Sequence, residues 1–283
     1  MRLRRGIYVD SAWWLTLQPA QRYRERVRAA SLSLDNPIFA LESAAAVHGL
    51  PVFGTPRIHL HSPTARGSYR HSDVTVHASV DGREVVRVDG VRATSVLDTT
   101  VDLIRVLPLA LAVAVVDAAI DRGVTLIAMQ ERIDSQKNQR GVRNARAALE
   151  LADARSESVL ESISRVVITY LGYEQPELQI AFTLEERTSR VDFFWRSVNI
   201  VGEADGEAKH HGGYAPTEQT IRQERAREVS LLRVTHRVAR WGWADVWHPR
   251  GLDRILSGAG VPRLRPAEPA IDSILRNART TAR

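Results

Sequence analysis

In the stretch from Arg190 to His211, RVDFFWRSVNIVGEADGEAKHH, two apolar runs bring three carboxylates, Asp192, Glu203 and Asp205, close together. Its β-branched and aromatic residues predict two short strands, Arg190–Trp195 and Asn199–Asp205, joined by a tight turn. Side chains alternate across a strand, which puts Val191, Phe193 and Trp195 on one side and Asp192 on the other. On the second strand Val201, Glu203 and Asp205 share a face, and Ile200, Gly202 and Ala204 share the opposite one. Strands this apolar belong to an interior. Acids grouped at their end repel one another and lose hydration unless a cation or water offsets them. A divalent metal is the simplest offset, and all-oxygen ligation suits Mg²⁺ or Mn²⁺.

The rest of the composition narrows the classes. At 283 residues the chain is comfortable for two domains. An apolar content of 44% with 25% charged residues is that of a soluble globular protein. There is no cysteine, which excludes disulfides, cysteine nucleophiles and cysteine-based zinc sites. A net charge of +6 favours polyanionic partners, nucleic acid above all. Of the 39 basic residues only Lys137 and Lys209 are lysines, and Lys209 stands inside the acidic stretch. The longest apolar run, Val106–Val116, contains Pro108 and is too short for a bilayer span, so it reads as a buried helix. The N-terminal MRLRRG is not followed by the apolar core of a signal peptide. No membrane partner and a cytoplasmic location are expected.

The elements that must position the acids follow from the pattern. Residues 2–9, RLRRGIYV, read as a basic turn and a short strand. Helices are predicted over about Pro19–Leu34 and Leu41–His48, the second stopped by Gly49 and Pro51. β-like runs follow at Arg57–His61, Val74–His77 and Val85–Val88, separated by turn-formers such as Asp81-Gly82 and Asp89-Gly90. From Ser95 to about Ala154 the pattern is helical, and no internal repeat is visible. A polar cluster near Asp153–Ser156 marks a domain boundary. Residues 1–153 form a mostly helical α+β domain, 154–260 a second domain, and 261–283, rich in Arg, Pro and Ala, a flexible tail. The second domain runs helix (about Ser158–Leu171), strands (Glu177–Phe182, Arg190–Trp195, Asn199–Asp205), helix (about Thr217–Leu232), strand (Val234–Ala239) and a last helix over Leu252–Leu256. That order implies an α/β (α+β) architecture with a mixed sheet flanked by helices.

With RVDFFW and IVGEADG on its hairpin, this layout resembles the PD-(D/E)xK nuclease superfamily, in particular the very-short-patch-repair-like endonucleases, over about Ser156–His248. LRRGIYV and ESAAAVHGLP are similar to actinobacterial proteins carrying an AbiEi-type antitoxin domain. RLRRGIYV matches the end of that domain's wing, here a remnant without the preceding helices. The first resemblance implies that Asp192 and Glu203 hold a metal, which would activate a bound water and stabilise charge on the scissile phosphate. It gives Glu161, on the first helix, as the ligand completing the shell. The lysine expected two residues after Glu203 is absent, and Asp205 occupies its place. Either Lys209 folds back to orient or activate the attacking water, or Asp205 is an extra metal ligand, or the site does not cleave. Arg222 and Arg225 share a face of the following helix and suit phosphate contacts, as Arg4 and Arg5 do through the wing. Two functions follow from the resemblances. One is a metal-dependent nuclease acting on DNA phosphodiester bonds. The other is a non-catalytic DNA-binding antitoxin or repressor of a type IV toxin-antitoxin system, with the nuclease-like domain as scaffold and a cognate toxin as partner.

Each residue also has a plainer role open to it. Glu161 follows Ser158 at capping-box spacing, and Asp205-Gly206 is a turn dipeptide. Lys209, His210 and His211 suit a solvated loop. Arg222 and Arg225 can pair with Glu218, Glu224 and Glu228 along their helix. Trp241, Trp243 and Trp247 could stack on bases, yet their apolar neighbours suit core packing.

Overall fold

A computed structural model describes residues 1–54, 57–184, 187–206 and 229–276, without the side chains of 184, 187 and 276. The fold is a mixed α+β architecture in two compact units, Met1–Ala152 and Asp153–Leu275.

The first unit opens with β1 (Arg2–Arg4) and β2 (Ile7–Tyr8), an antiparallel hairpin turned at Gly6, whose φ is +78°. A helix absent from the expected set follows, α1 (Ser11–Thr16), capped by Asp10 accepting from the Trp13 N–H at 2.7 Å. α2 (Pro19–Ser33) begins with proline, which has no N–H to leave unpaired. Its buried face of Tyr23, Val27 and Ala30 packs with Phe39, Ala44, Ile58, Val74 and Val76. α3 (Leu41–His48) ends at Gly49 in the left-handed conformation. β3 (Ile58–Ser62) pairs parallel with β5 (Val74–Ala78), and β4 (Tyr69–His71) lies antiparallel on its other side. β6 (Val85–Val88) and β7 (Val91–Thr94) form a hairpin whose turn is Asp89-Gly90, both at positive φ. Four helices complete the unit: α4 (Val96–Ile104), α5 (Leu109–Asp121), α6 (Leu126–Ser135) and α7 (Val142–Glu150). Leu109–Val116 are buried without exception, so α5 is apolar all round because it is surrounded.

The second unit packs α8 (Val159–Leu171) on a four-stranded sheet. The sheet contains β8 (Glu177–Leu184), β9 (Arg187–Trp195), β10 (Ile200–Ala204) and β11 (Arg237–Trp241), in the order β11-β10-β9-β8. β10 is parallel to β11 and antiparallel to β9, which makes the sheet mixed. Of the helix expected over Thr217–Leu232, residues 229–234 are described and are helical. The last strand therefore starts at Arg237 rather than Val234. α9 (Trp243–Trp247) and α10 (Pro249–Ala259) follow.

The expectation of a flexible tail from residue 261 requires correction as far as the described residues go. The Leu264 N–H donates to the Gly172 carbonyl at 2.8 Å, and that of Glu174 to Pro262 at 2.9 Å. The Tyr173 hydroxyl donates to Asp253 Oδ1 at 2.7 Å, and Arg263 pairs with the same carboxylate and covers the Tyr173 ring. α11 (Ile271–Arg276) then buries Ile274 and Leu275. Composition suggested disorder, but a few tethers and two apolar anchors suffice for order.

Candidate functional site

Two small features set the geometry around the acids. Gly202 on β10 lies between two indoles: a Cβ there would sit 2.6 Å from Trp241 Cη2 and 2.9 Å from Trp195 Cζ3. Phe193, Trp195 and Trp241 form one aromatic group on that face, and the Trp241 indole N–H donates to Ser164 Oγ on α8 at 2.8 Å. α8 therefore covers the tryptophan face of the sheet. The second feature is Gln179, whose φ is +56°, opposite Asp192 in the β8–β9 register. A residue in that region disturbs the pleat, and alternation slips there. Val191 packs with Phe194 and Val201 rather than sharing the face of Phe193 and Trp195. This corrects the simple alternation expected for β9.

The β9–β10 register runs Ile200 with Trp195, Val201 with Phe194 and Gly202 with Phe193. One step further lie Glu203 and Asp192. There the strands part, and Asp192 Oδ2 accepts the Ala204 N–H at 2.9 Å. Glu203 follows Gly202 and so points away from the tryptophan face. It is buried and stands beside its parallel partner Arg240, whose Nη2 is 3.1 Å from Oε2. The other guanidinium nitrogen is 3.4 Å from Asp205 Oδ2. Asp192, Glu203 and Asp205 thus gather at one end of the central strand pair, with Arg240 holding two of them. Sequence reasoning missed Arg240. The only local signal was a charged residue, Arg240, between Ala239 and Trp241 on an otherwise apolar end of the strand RVARW.

Glu161 is placed differently. Ser158 Oγ accepts the Glu161 N–H at 3.2 Å and donates to Oε1 at 2.7 Å, while Oε2 accepts the Glu157 N–H at 3.0 Å. Gln179 Nε2 adds a bond to Oε2 at 2.8 Å. This is a reciprocal cap extended to the sheet. Glu161 sits on the helix covering the tryptophan face, and Glu203 points to the other face. Among the described residues no three histidine, aspartate or glutamate side chains converge to hold a metal ion. A hard cation that keeps most of its water needs only one or two carboxylates, and Asp192 with Glu203 is the pair that fits.

Lys209, His210, His211, Arg222 and Arg225 lie outside the described residues. Arg4 is ion-paired with Asp73 at 2.7 Å, and Arg5 is exposed. Trp241 is core; Trp243 and Trp247 stack on each other, their ring centroids 5.7 Å apart. No helix among the described residues is long and apolar enough to cross a membrane.

The second unit is thus a helix-covered mixed sheet presenting acids and one arginine at the end of its central strands. Two proteins of Mycobacterium tuberculosis, the uncharacterized proteins MT2308 and Rv2248, are each 30% identical to the chain over 204 residues, covering 70% of it and 74% of their own length. The chain belongs to the family of these mycobacterial proteins. No family model matches it, and no solved structure does.

Proposed function

We propose that the second unit is a nuclease-type module acting on DNA phosphodiester bonds in the cytoplasm. The observation that carries this reading is the placement of Asp192 and Glu203 at the step where β9 and β10 part, Asp192 Oδ2 being fixed on the Ala204 N–H. Asp192 and Glu203 are the residues that would hold Mg²⁺ or Mn²⁺, and the ion would supply an activated water and charge stabilisation. Ala204 orients the Asp192 carboxylate, and Arg240 orients that of Glu203 while lowering the repulsion among the three acids. Lys209 is proposed as the group that positions the water, and Arg222 and Arg225 as phosphate contacts. Purified protein incubated with plasmid and oligonucleotide substrates, with Mg²⁺, Mn²⁺ or chelator, tests the reading. Nicking that requires metal and is lost in both Asp192→Ala and Glu203→Ala is expected. Cleavage that persists in those variants, or none under any metal, overturns it.

A second reading has its own support. The Arg240 pairing already offsets Glu203, and Glu161 serves as a helix cap. Both suit a scaffold in a DNA-binding antitoxin or repressor whose partner is a cognate toxin. In that case DNA binding occurs without metal and weakens with salt, log K falling by about 0.9 per phosphate contact for each unit of log salt. Asp192→Ala would leave it unchanged.

A further inference from the structure

A cavity of about 590 Å³ opens within the first unit, among the start of α3, the strands β3, β4 and β5, and the loop before α7. Its walls carry an unusual set of arginines. Arg83 is clamped by both oxygens of Asp102, at 2.7 and 2.9 Å. Arg105 is spent on the loop before α7, bonding the carbonyls of Arg140 and Asn138 and the side chain of Gln136. These two build the wall. Arg70 and Arg140 also line the cavity, are exposed, and have no side-chain hydrogen bond or ion pair among the described residues. Arg105 Nε, 2.8 Å from the Arg140 carbonyl, holds in place the backbone that carries the second of them.

Glu42, His59 and His77 line the same cavity. His59 Nδ1 and His77 Nε2 share a proton at 2.8 Å, so one ring donates and the other accepts. Burial, with the Arg57 and Arg70 guanidiniums nearby, pushes His59 down to about 4, and burial also lowers His77. Burial raises the Glu42 carboxyl, which lies 3.6 Å from His59 Nε2, and its Oε2 is sealed from solvent with no hydrogen-bond partner. A buried polar atom left unsatisfied at a cavity wall is costly unless something fills the position. Two uncommitted guanidiniums and an imidazole pair lining one cavity mark a ligand with an anionic group and a polar, flat part. The volume matches that of small-molecule sites.

We propose that this cavity binds a nucleotide through its 5′-phosphate, Arg70 and Arg140 holding the phosphate and the Glu42–His59–His77 group meeting the edge of the base. The nucleotide is either free or the first residue of a nucleic-acid chain, since both present the same phosphate monoester. Guanidinium forks are suited to phosphate oxygens, and a carboxyl beside an imidazole can both donate and accept.

The test is calorimetric titration of the full chain with inorganic phosphate, with AMP, GMP, CMP and UMP, and with one oligonucleotide carrying either a 5′-phosphate or a 5′-hydroxyl. Saturable binding of a mononucleotide, or of the 5′-phosphorylated oligonucleotide in preference to its 5′-hydroxyl form, is expected, with inorganic phosphate weaker. Which of the two binds assigns the source. Arg70→Gln and Arg140→Gln, at exposed positions where folding is not at risk, are each expected to weaken binding about tenfold or more. Glu42→Gln is expected to change the preference among bases while leaving affinity for inorganic phosphate unaltered. Absence of binding by every probe at millimolar concentration overturns the proposal. So does binding indifferent to the 5′-phosphate, or unchanged in both arginine variants.

Discussion

His59 makes the first unit sensitive to acid. Its imidazole titrates near 4 in the folded chain and near 6.5 when unfolded, so between those values the unfolded chain binds more protons. Stability contributed by the neutral ring is complete above 6.5 and falls as pH drops toward 4, by on the order of 3 kcal/mol. Glu42 acts in the opposite sense: its raised pKa makes the folded chain the better proton binder above about 4.5, the ordinary carboxylate value. Denaturant unfolding of wild type and His59→Gln at pH 7 and pH 5 separates the two. The wild type is expected to lose more stability on acidification than the variant, and equal losses would refute the assignment. In the second unit, Arg240→Gln leaves the buried Glu203 carboxylate without its guanidinium and is expected to cost on the order of 2 kcal/mol, read from chemical denaturation.

At the scale of elements, the start of α8 and the middle of β10 carry most of what can be tested. Ser158→Ala removes the hydroxyl that both accepts from and donates to Glu161, and about 1 kcal/mol of stability should go with it. Gly202→Ala forces a methyl group into two indole rings that have no room to move, with an expected loss of about 3 kcal/mol. These examples also show how far sequence reaches. The S-x-x-E spacing at Ser158 gave the cap, because capping is local chemistry. The end of the helix at His48 was legible, because glycine and proline stop helices by their own backbone limits. The acids of β9 and β10 were found for the same local reason: charge inside apolar strands stands out. The side taken by Val191 was not legible. It follows a slip in alternation beside Gln179, whose positive φ no property of glutamine announces. Arg240 was equally hidden, because its pairing with Glu203 depends on a parallel register set by distant contacts.

For the whole molecule, division into two compact units means that damage to one need not spread to the other. Removal of residues 262–283 deletes the Leu264 bond to Gly172, the Arg263 pair with Asp253 and the buried side chains of Ile274 and Leu275. Burial of two such side chains is worth about 3 kcal/mol or more. Hydrogen exchange is expected to show lost protection in α8 with α5 unchanged, and equal loss in both would contradict the division. The attachment of this segment to the end of α8 has a kinetic corollary. Chains are made from the N-terminus, so the first helix of the second unit emerges long before the residues that close over it. Until residues 264–275 are synthesised, the Gly172 carbonyl and the apolar surface awaiting Ile274 and Leu275 stay exposed to whatever else is near. A nascent second unit should therefore need shielding late in its synthesis.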